Sequence, residues 1–299
     1  MSVPDDAWLA PLARRLRRTP VVTGRVPLTG GHASGPVERI DLDDGTAVVL
    51  KRAGTAEVAA LRAAAVVTGP VRVPRLLVPG DGWVLLAHEP GATLAPGDPV
   101  PDDVWVTLAR THAHWRRNRP RGVPLVDDDR WSRLCALAAD RLAAAGSAAA
   151  ATVGGWAGDE RVRTALRALP RTLCHGDAHR GNVLTGPAGA VLLDWGNARV
   201  APGTLDVVVL SAPPADGPAD APPSPVPALY RDTLHAALGA PDPPAMIAVE
   251  TAWARVQAHV QYLPFAAEHQ DTARTGSMVR VAAAALDELG GLLSAARAG

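Results

Sequence analysis

The stretch LCHGDAHRGNVL, residues 173–184, places polar side chains between two apolar ends. It contains Asp177 and, five positions later, Asn182, in a segment that begins at His175. Two kinds of site fit such a segment. It is either a His-x-Asp-x-His metal centre formed by His175, Asp177 and His179, or a loop that holds a carboxylate and an amide for phosphoryl transfer. The two alternatives require different partner residues elsewhere in the chain.

The residues that follow favour phosphoryl transfer. Asn182 begins a predicted hairpin of two short strands, which turns at Gly186–Gly189 and ends at Asp194. Mg²⁺ prefers oxygen ligands such as carboxylates and amides, so Asn182 and Asp194 are candidate metal ligands. Asp177 is then the candidate base for an acceptor hydroxyl. A hydrolytic metal centre would need further histidine or carboxylate clusters, and the chain has one other closely spaced histidine pair.

Candidate phosphate-binding residues precede this loop. The glycine-rich stretch TGGHASG, residues 29–35, can present backbone N–H groups to phosphate oxygens. Its candidate contacts are Gly30, Gly31 and Ser34. Lys51 follows on a predicted strand and is the only lysine of a chain whose other basic residues are all arginine, which indicates a need for a compact ammonium group. Glu57, in the first turn of the next predicted helix, is placed to hold that ammonium group.

The pattern of apolar residues divides the chain into two parts. Up to about Gly91 it predicts mainly antiparallel strands, with turns at Asp44-Gly45 and at residues 79–82, and one helix over residues 55–65. Beyond Gly91 helical periodicity dominates. The predicted helices cover about residues 102–117, 131–145, 160–169, 228–238, 244–263 and 275–296. We therefore expect an α+β fold with a small antiparallel-sheet part and a larger, mainly helical part.

Composition excludes several classes of function. Thirty basic residues balance thirty acidic ones, so no electrostatic field favours nucleic acid or a membrane surface. The N-terminal residues contain no apolar signal segment, and no apolar run reaches the roughly 18 residues of a membrane span. We expect a cytoplasmic protein, monomeric or weakly dimeric, whose partner is a small molecule.

The combination of His-Gly-Asp-x-x-x-x-Asn, a hairpin and then Leu-Asp-Trp resembles the aminoglycoside phosphotransferase and choline kinase superfamily of small-molecule kinases. The resemblance implies a bilobal protein-kinase-like fold, with a nucleotide-binding N-lobe at residues 1–91 and a helical C-lobe at residues 92–299. It also implies Mg²⁺ and ATP, or GTP, as phosphate donor. The hinge against adenine falls at residues 86–90, with contacts expected from Leu86, Ala87 and His88.

The same resemblance assigns individual roles. It implies that Lys51 binds phosphate, that Asp177 is the catalytic base, and that Asn182 and Asp194 bind magnesium. His112 matches a structural histidine, and Asp206 matches an aspartate that braces the catalytic loop. The chain departs from the family at three positions, where Ala178 and Arg180 replace the usual Leu and Pro, and Asn197 replaces an acid. We expect Arg180 to add a phosphate contact, and Trp195 and Trp253 to lie near the acceptor.

Alternatives to this function differ in class. A protein kinase is disfavoured because no Ala-Pro-Glu follows Asp194. An inactive kinase-like nucleotide-binding module is disfavoured because the lysine, the aspartate and both metal ligands are present. Residues 201–299 contain ten acidic residues against five arginines, which favours a cationic, hydroxyl-rich acceptor. We expect an aminoglycoside or other antibiotic, in resistance or biosynthesis, ahead of a primary-metabolite sugar or amino alcohol.

Overall fold

The computed structural model describes residues 3–28, 36–95, 97–213 and 223–298. The N-terminal part is an antiparallel sheet with one helix on each face. Its elements are α1 (Asp5–Leu16), β1 (Val22–Leu28), β2 (Val37–Leu42), β3 (Ala47–Arg52), α2 (Thr55–Ala65), β4 (Leu76–Pro79) and β5 (Trp83–Ala87). The strands lie in the order β1-β2-β3-β5-β4, and each neighbouring pair is antiparallel.

The two faces of this sheet bury different residues because side chains alternate along a strand. On one face Ile40, Val48 and Leu50 pack against Trp8 and Leu12 of α1. The opposite face packs against α2, and the side chain of the next residue along β3, Lys51, lies there. The alternation along β3 therefore provides both a core for α1 and a charged group for the other face.

The C-terminal part is mainly helical. Its elements are β6 (Ala92–Thr93), α3 (Asp102–Trp115), α4 (Asp128–Ala144), α5 (Ala150–Gly155), α6 (Glu160–Ala168), β7 (Thr172–Cys174), β8 (Val183–Gly186), β9 (Gly189–Leu192), β10 (Arg199–Ala201), α7 (Thr204–Ser211), α8 (Ala228–Leu238), α9 (Pro244–His269) and α10 (Thr272–Ala298). Two small sheets interrupt the helices, with strand orders β6-β8-β9 and β10-β7. The predicted α+β class is confirmed.

Most predicted elements are present with small shifts at their ends. Helix α4 begins at Asp128, three residues before the predicted start, because the Asp127 side chain accepts the N–H of Arg130 and caps the helix. Helices α1, α5 and α7 were not predicted. Helix α7 is buried nearly all round, so its sequence has no polar face and no amphipathic period.

The two parts meet through close backbone contact and a few side-chain hydrogen bonds. A Cβ added to Gly91 would lie 2.2 Å from the carbonyl oxygen of Thr185, so only glycine fits where the chain crosses the hairpin. Trp115 of α3 donates to the carbonyl of Ala63 at 3.1 Å and ties the end of α2 to the helical part. Among the described helices, none has the length and hydropathy required to cross a membrane.

Candidate active site

Lys51 lies at the centre of a cluster of three charged side chains, of which Lys51 and Glu57 are buried and Asp194 is partly exposed. Its ammonium nitrogen is 3.0 Å from Oε1 of Glu57 and 2.7 Å from Oδ1 of Asp194. Lys51 and Glu57 are 7% and 3% exposed, so water screens this cluster weakly. Asp194 has a left-handed backbone (φ +58°), a conformation that non-glycine residues rarely adopt and that often marks a functional site.

The three charges set one another's ionisation. Burial lowers the pKa of Lys51, but the charges of Glu57 and Asp194 outweigh it and raise that pKa overall. Burial raises the pKa of Asp194, but the charge and hydrogen bond of Lys51 reverse this and lower it. Burial also raises the pKa of Glu57, against the lowering effect of Lys51. The lysine therefore stays charged, and Asp194 stays an anion near neutral pH.

The loop after β7 turns sharply at Gly176. Its φ is +79°, and an added Cβ would lie 2.2 Å from the carbonyl oxygen of Asn197. Both constraints require glycine. The turn brings Asp177 opposite Asn197, whose side-chain amide donates to Oδ2 of Asp177 at 3.0 Å.

Asp206, in the first turn of α7, holds the backbone of this loop through hydrogen bonds. It is fully buried, and its two oxygens accept the backbone N–H groups of His175 at 2.7 Å and Gly176 at 2.8 Å. His112 Nε2 contacts Asp206 Oδ2 at 3.1 Å, and the hydroxyl of Tyr230 is 2.9 Å from His112 Nδ1. Burial raises the pKa of Asp206, but the hydrogen bond from His112 lowers it and the net shift is downward. A buried anion thus organises the backbone that carries Asp177.

Asn182 is oriented by the same loop. Its side-chain amide donates to the backbone carbonyl of Asp177 at 2.9 Å. With the amide nitrogen engaged in this way, the amide oxygen is the atom left to serve as a ligand. The carbonyl of Asn182 also accepts from the N–H of Leu193 at 2.7 Å, so the residue before Asp194 is bonded to Asn182 across the hairpin.

The alternative metal centre is not assembled. Nε2 of His175 bonds the carbonyl of Leu193 at 2.7 Å, and Nδ1 faces the N–H of Asp177 at 3.3 Å. Both ring nitrogens are thus engaged, and burial lowers the pKa of His175. The His179 side chain is 47% exposed, with Nε2 4.0 Å from Asp177. His175 shapes the loop, as expected for a neutral imidazole with one donor and one acceptor nitrogen.

The other residues expected at the site belong to the glycine-rich stretch and to the hinge. Gly30, Gly31 and Ser34 lie outside the described residues. At the expected hinge, Leu86 is buried in β5. The N–H of Ala87 donates to the carbonyl of Arg75 at 2.9 Å, and the N–H of His88 donates to the carbonyl of Ala47 at 3.1 Å. Those two N–H groups are engaged within the sheet and not available to a base edge.

Three side chains expected near the phosphate or the acceptor make their contacts within the protein. Arg180 contacts the carbonyl of Asp98 and the Ser224 hydroxyl, the latter at 2.9 Å, so it fastens the loop to neighbouring segments. Trp195 and Trp253 are fully buried. Trp195 stacks edge-on against His175 and is a packing residue.

Three residues that the sequence did not indicate complete the site. Tyr262 of α9 donates to Oδ1 of Asp177, and the adjacent Gln261 donates to the carbonyl of Gly176 at 2.7 Å. Arg199 of β10 is 5% exposed and contacts Gln261 at 2.8 Å. Tyr262 is one of two tyrosines in the chain, and that scarcity was the one available signal.

Comparison with known proteins identifies the family. The model of the phosphotransferase enzyme family matches residues 30–258. A choline/ethanolamine kinase family protein from Mesorhizobium loti shares 20% identity over 98% of this chain and 99% of its own, with a TM-score of 0.60. A spectinomycin phosphotransferase, solved with ADP and spectinomycin, shares 10% identity over 98% of this chain and 99% of its own, with a TM-score of 0.53.

A macrolide 2′-phosphotransferase from Brachybacterium faecium shares 16% identity over 92% of this chain and 97% of its own, with a TM-score of 0.52. At these identities the solved structures show a common bilobal, protein-kinase-like fold. Comparison with curated proteins gave no match. Because the family model spans most of the chain, including Lys51, Asp177 and Asp194, the chain belongs to the phosphotransferase enzyme family and is a small-molecule kinase.

Proposed function

We propose that this enzyme transfers the γ-phosphoryl group of a Mg²⁺-bound nucleoside triphosphate, ATP or GTP, to a hydroxyl group of a small molecule. One observation carries the proposal: Lys51 contacts Asp194 at 2.7 Å, and Asp194 follows a hairpin that starts at Asn182, which is hydrogen-bonded to Asp177. The proposed phosphate-binding cation, two oxygen ligands and base are thus linked by two side-chain contacts and one short hairpin. Phosphoryl transfer needs these groups and little covalent chemistry.

Lys51 is the proposed phosphate contact. An ammonium group has three N–H donors, and Glu57 and Asp194 occupy two of them. The third is then available to a phosphate oxygen. The ADP-bound spectinomycin phosphotransferase, which shares the fold, supports a nucleotide donor. We place the nucleotide between the two parts of the chain, 1–91 and 92–299, against the segment 86–90.

Asn182 and Asp194 are the proposed Mg²⁺ ligands. Their donor set, one amide oxygen and one carboxylate, suits a hard cation that keeps several waters. The orientation of the Asn182 amide fits this role, because its nitrogen is engaged on Asp177 and its oxygen is not needed there. When bound, the cation neutralises charge on the transferring phosphoryl group.

Asp177 is the proposed base. Its carboxylate takes the proton of the acceptor hydroxyl as the hydroxyl oxygen bonds to the γ-phosphorus and the bond to the leaving diphosphate oxygen breaks. The products are a phosphate ester, the nucleoside diphosphate and a proton. Glu57 and Asp206 do not contact the reacting groups in this proposal. Glu57 holds Lys51, and Asp206 holds the backbone of the loop that carries Asp177.

We propose an antibiotic as acceptor, neutral or cationic, ahead of a sugar or amino alcohol. The fold is shared with phosphotransferases of spectinomycin and macrolides and with a choline/ethanolamine kinase family protein. The surplus of acidic residues in 201–299 gives only weak support to a cationic acceptor, because several of these acids already form ion pairs within the protein. Ion pairs with arginine or histidine engage Asp206, Asp242, Glu268, Asp287 and Glu288.

The test is a screen of nucleoside diphosphate release. Amino-sugar antibiotics, macrolides, peptide antibiotics, sugars and amino alcohols are each supplied with Mg·ATP or Mg·GTP. Product mass and phosphorus NMR then identify the phosphorylated hydroxyl. A gain of one phosphate ester supports the proposal. If no acceptor gains phosphate although Mg·ATP binds tightly, the proposal fails.

Asp177→Asn tests the proposed base. It should lower turnover by about 10²–10⁴, the range for a lost general base, while affinity for Mg·ATP changes only a few-fold. Asp140→Asn on the exposed surface of α4 is the matched control and should turn over normally. Normal turnover of Asp177→Asn would remove Asp177 from the reaction.

A further inference from the structure

The carboxylate of Asp177 is held on both of its oxygens. Asn197 donates to Oδ2 at 3.0 Å, and the hydroxyl of Tyr262 donates to Oδ1. The rotation of an aspartate carboxylate about its last torsion is otherwise broad. Two donors on different oxygens fix that rotation and leave defined lone pairs for an acceptor hydroxyl.

Helix α9 contacts the loop through two consecutive residues. Gln261 donates to the carbonyl of Gly176 at 2.7 Å, and Tyr262 reaches Asp177. Gln261 is itself fixed, because its side-chain oxygen accepts from Arg199 at 2.8 Å. The Arg199 Nε in turn donates to the carbonyl of Asn197 at 2.9 Å. The hydrogen bonds thus form a closed ring through α9, the loop and β10.

Tyr262 remains a donor throughout the working pH range. Burial raises the pKa of its hydroxyl, and the negative charge of Asp177 raises it further, to well above the ordinary value. The hydroxyl keeps its proton, and its role is to donate that proton in a hydrogen bond. It therefore does not compete with Asp177 for the proton of an acceptor.

We propose that Tyr262 is a positioning residue: it holds the Asp177 carboxylate in the orientation that receives the acceptor proton. This inference rests on the proposed function, in which Asp177 is the base. Reaction within an enzyme complex depends on how closely the groups are held to the reacting geometry. A freely rotating Asp177 would bind the same acceptor and react less often.

The test is Tyr262→Phe, which keeps the ring and removes the hydroxyl. Because the variant loses a hydrogen bond to a charged group, we expect kcat to fall about tenfold to a hundredfold. The Kd for Mg·ATP should stay within about twofold, because no contact to Lys51 or Asp194 changes. Thr251→Val is the matched control, since Thr251 lies on the same helix and its hydroxyl bonds the carbonyl of Ile247. It should leave kcat unchanged.

A second measurement separates positioning from loosened packing. If Tyr262 acts through Asp177, Tyr262→Phe should cause almost no further loss in an Asp177→Asn background, measured in single-turnover reactions. An equal factor in both backgrounds would overturn the inference, as would normal kcat in Tyr262→Phe. If Asp177→Asn itself turns over normally, Asp177 is not the base of the proposed function, and this outcome is distinct from either of these.

Discussion

Lys51 and Asp194 are 143 positions apart in the chain, and their charged atoms meet at 2.7 Å. Lys51 belongs to the N-terminal sheet, whereas Asp194 follows the β8–β9 hairpin of the helical part. Glu57 holds the same ammonium group from α2 at 3.0 Å. The single lysine of the chain therefore joins the two parts, and the compact ammonium group suits two carboxylates at once.

Lys51→Arg should impair the enzyme although it keeps the charge. A planar guanidinium is wider than an ammonium group, and the position is 7% exposed, so the larger group cannot reach Glu57 and Asp194 in the same geometry. We expect kcat/KM to fall at least about tenfold, equivalent to about 1.4 kcal/mol. Arg62→Lys, the reverse exchange at an exposed position of α2, is the control. Full activity of Lys51→Arg would show that the lysine is not required.

Removal of a metal ligand should change the Mg²⁺ requirement. Asn182→Ala and Asp194→Ala should each raise the Mg²⁺ concentration for half-maximal nucleotide binding by at least about tenfold, since even residues that only support metal ligands contribute 10–100-fold. Glu57→Gln disturbs the same lysine without removing a ligand, and it should shift the Mg²⁺ midpoint by less than either ligand variant. Calorimetric titrations at several Mg²⁺ concentrations measure this. An unchanged midpoint in Asp194→Ala contradicts the proposed metal site.

The sequence predicted those parts of the site that depend on short-range structure. Asp177, Asn182 and Asp194 lie within one loop and one hairpin, so their spacing nearly determines their proximity. Helix α2 was predicted at its observed bounds, with Glu57 in its first turn. The positions of Lys51 and Glu57 then follow from the strand and the helix that carry them.

The long-range contacts were not predictable from the same patterns. Tyr262 and Gln261 meet the loop across 85 positions, and nothing in the pattern of α9 distinguishes the turn that faces the loop. Helix α1 was missed although acids stand in its first turn and arginines in its last. The net charge of residues 201–299 did not indicate which acids are paired, because ion pairs depend on packing, which composition does not report.

Asp206→Asn should destabilise the fold and the loop together. Asp206 accepts from two backbone N–H groups and contacts His112, and an amide NH₂ in its place would face one of those donors. Breaking a buried charged network of this kind lowers the free energy of unfolding by about 3 kcal/mol. Glu288→Gln removes an exposed ion pair with Arg255 and should change it by less than about 1 kcal/mol. Urea denaturation of both variants measures the difference, and equal effects would contradict the bracing role.

Acidification should weaken the fold through a partly buried histidine that is neutral in the folded chain. His259 of α9 is held by a 2.7 Å hydrogen bond from Nδ1 to the carbonyl of Arg255, and burial is the largest cause that lowers its pKa. The unfolded chain protonates histidine near pH 6.5, so below that pH it binds more protons than the folded chain, and stability falls as pH falls.

The histidine contribution can be isolated by subtraction. Glu57 and Glu250 have raised pKa values, chiefly through burial, and act in the opposite direction because the folded chain takes up their protons more readily. These contributions cancel in the difference between wild type and His259→Gln. From pH 7.5 to 5.5, the free energy of unfolding of the wild type should fall relative to the variant by up to about 1.4 kcal/mol per pH unit, with the change concentrated below about pH 6.5. Urea denaturation at each pH provides the measurement, and a difference independent of pH would show that His259 titrates alike in both states.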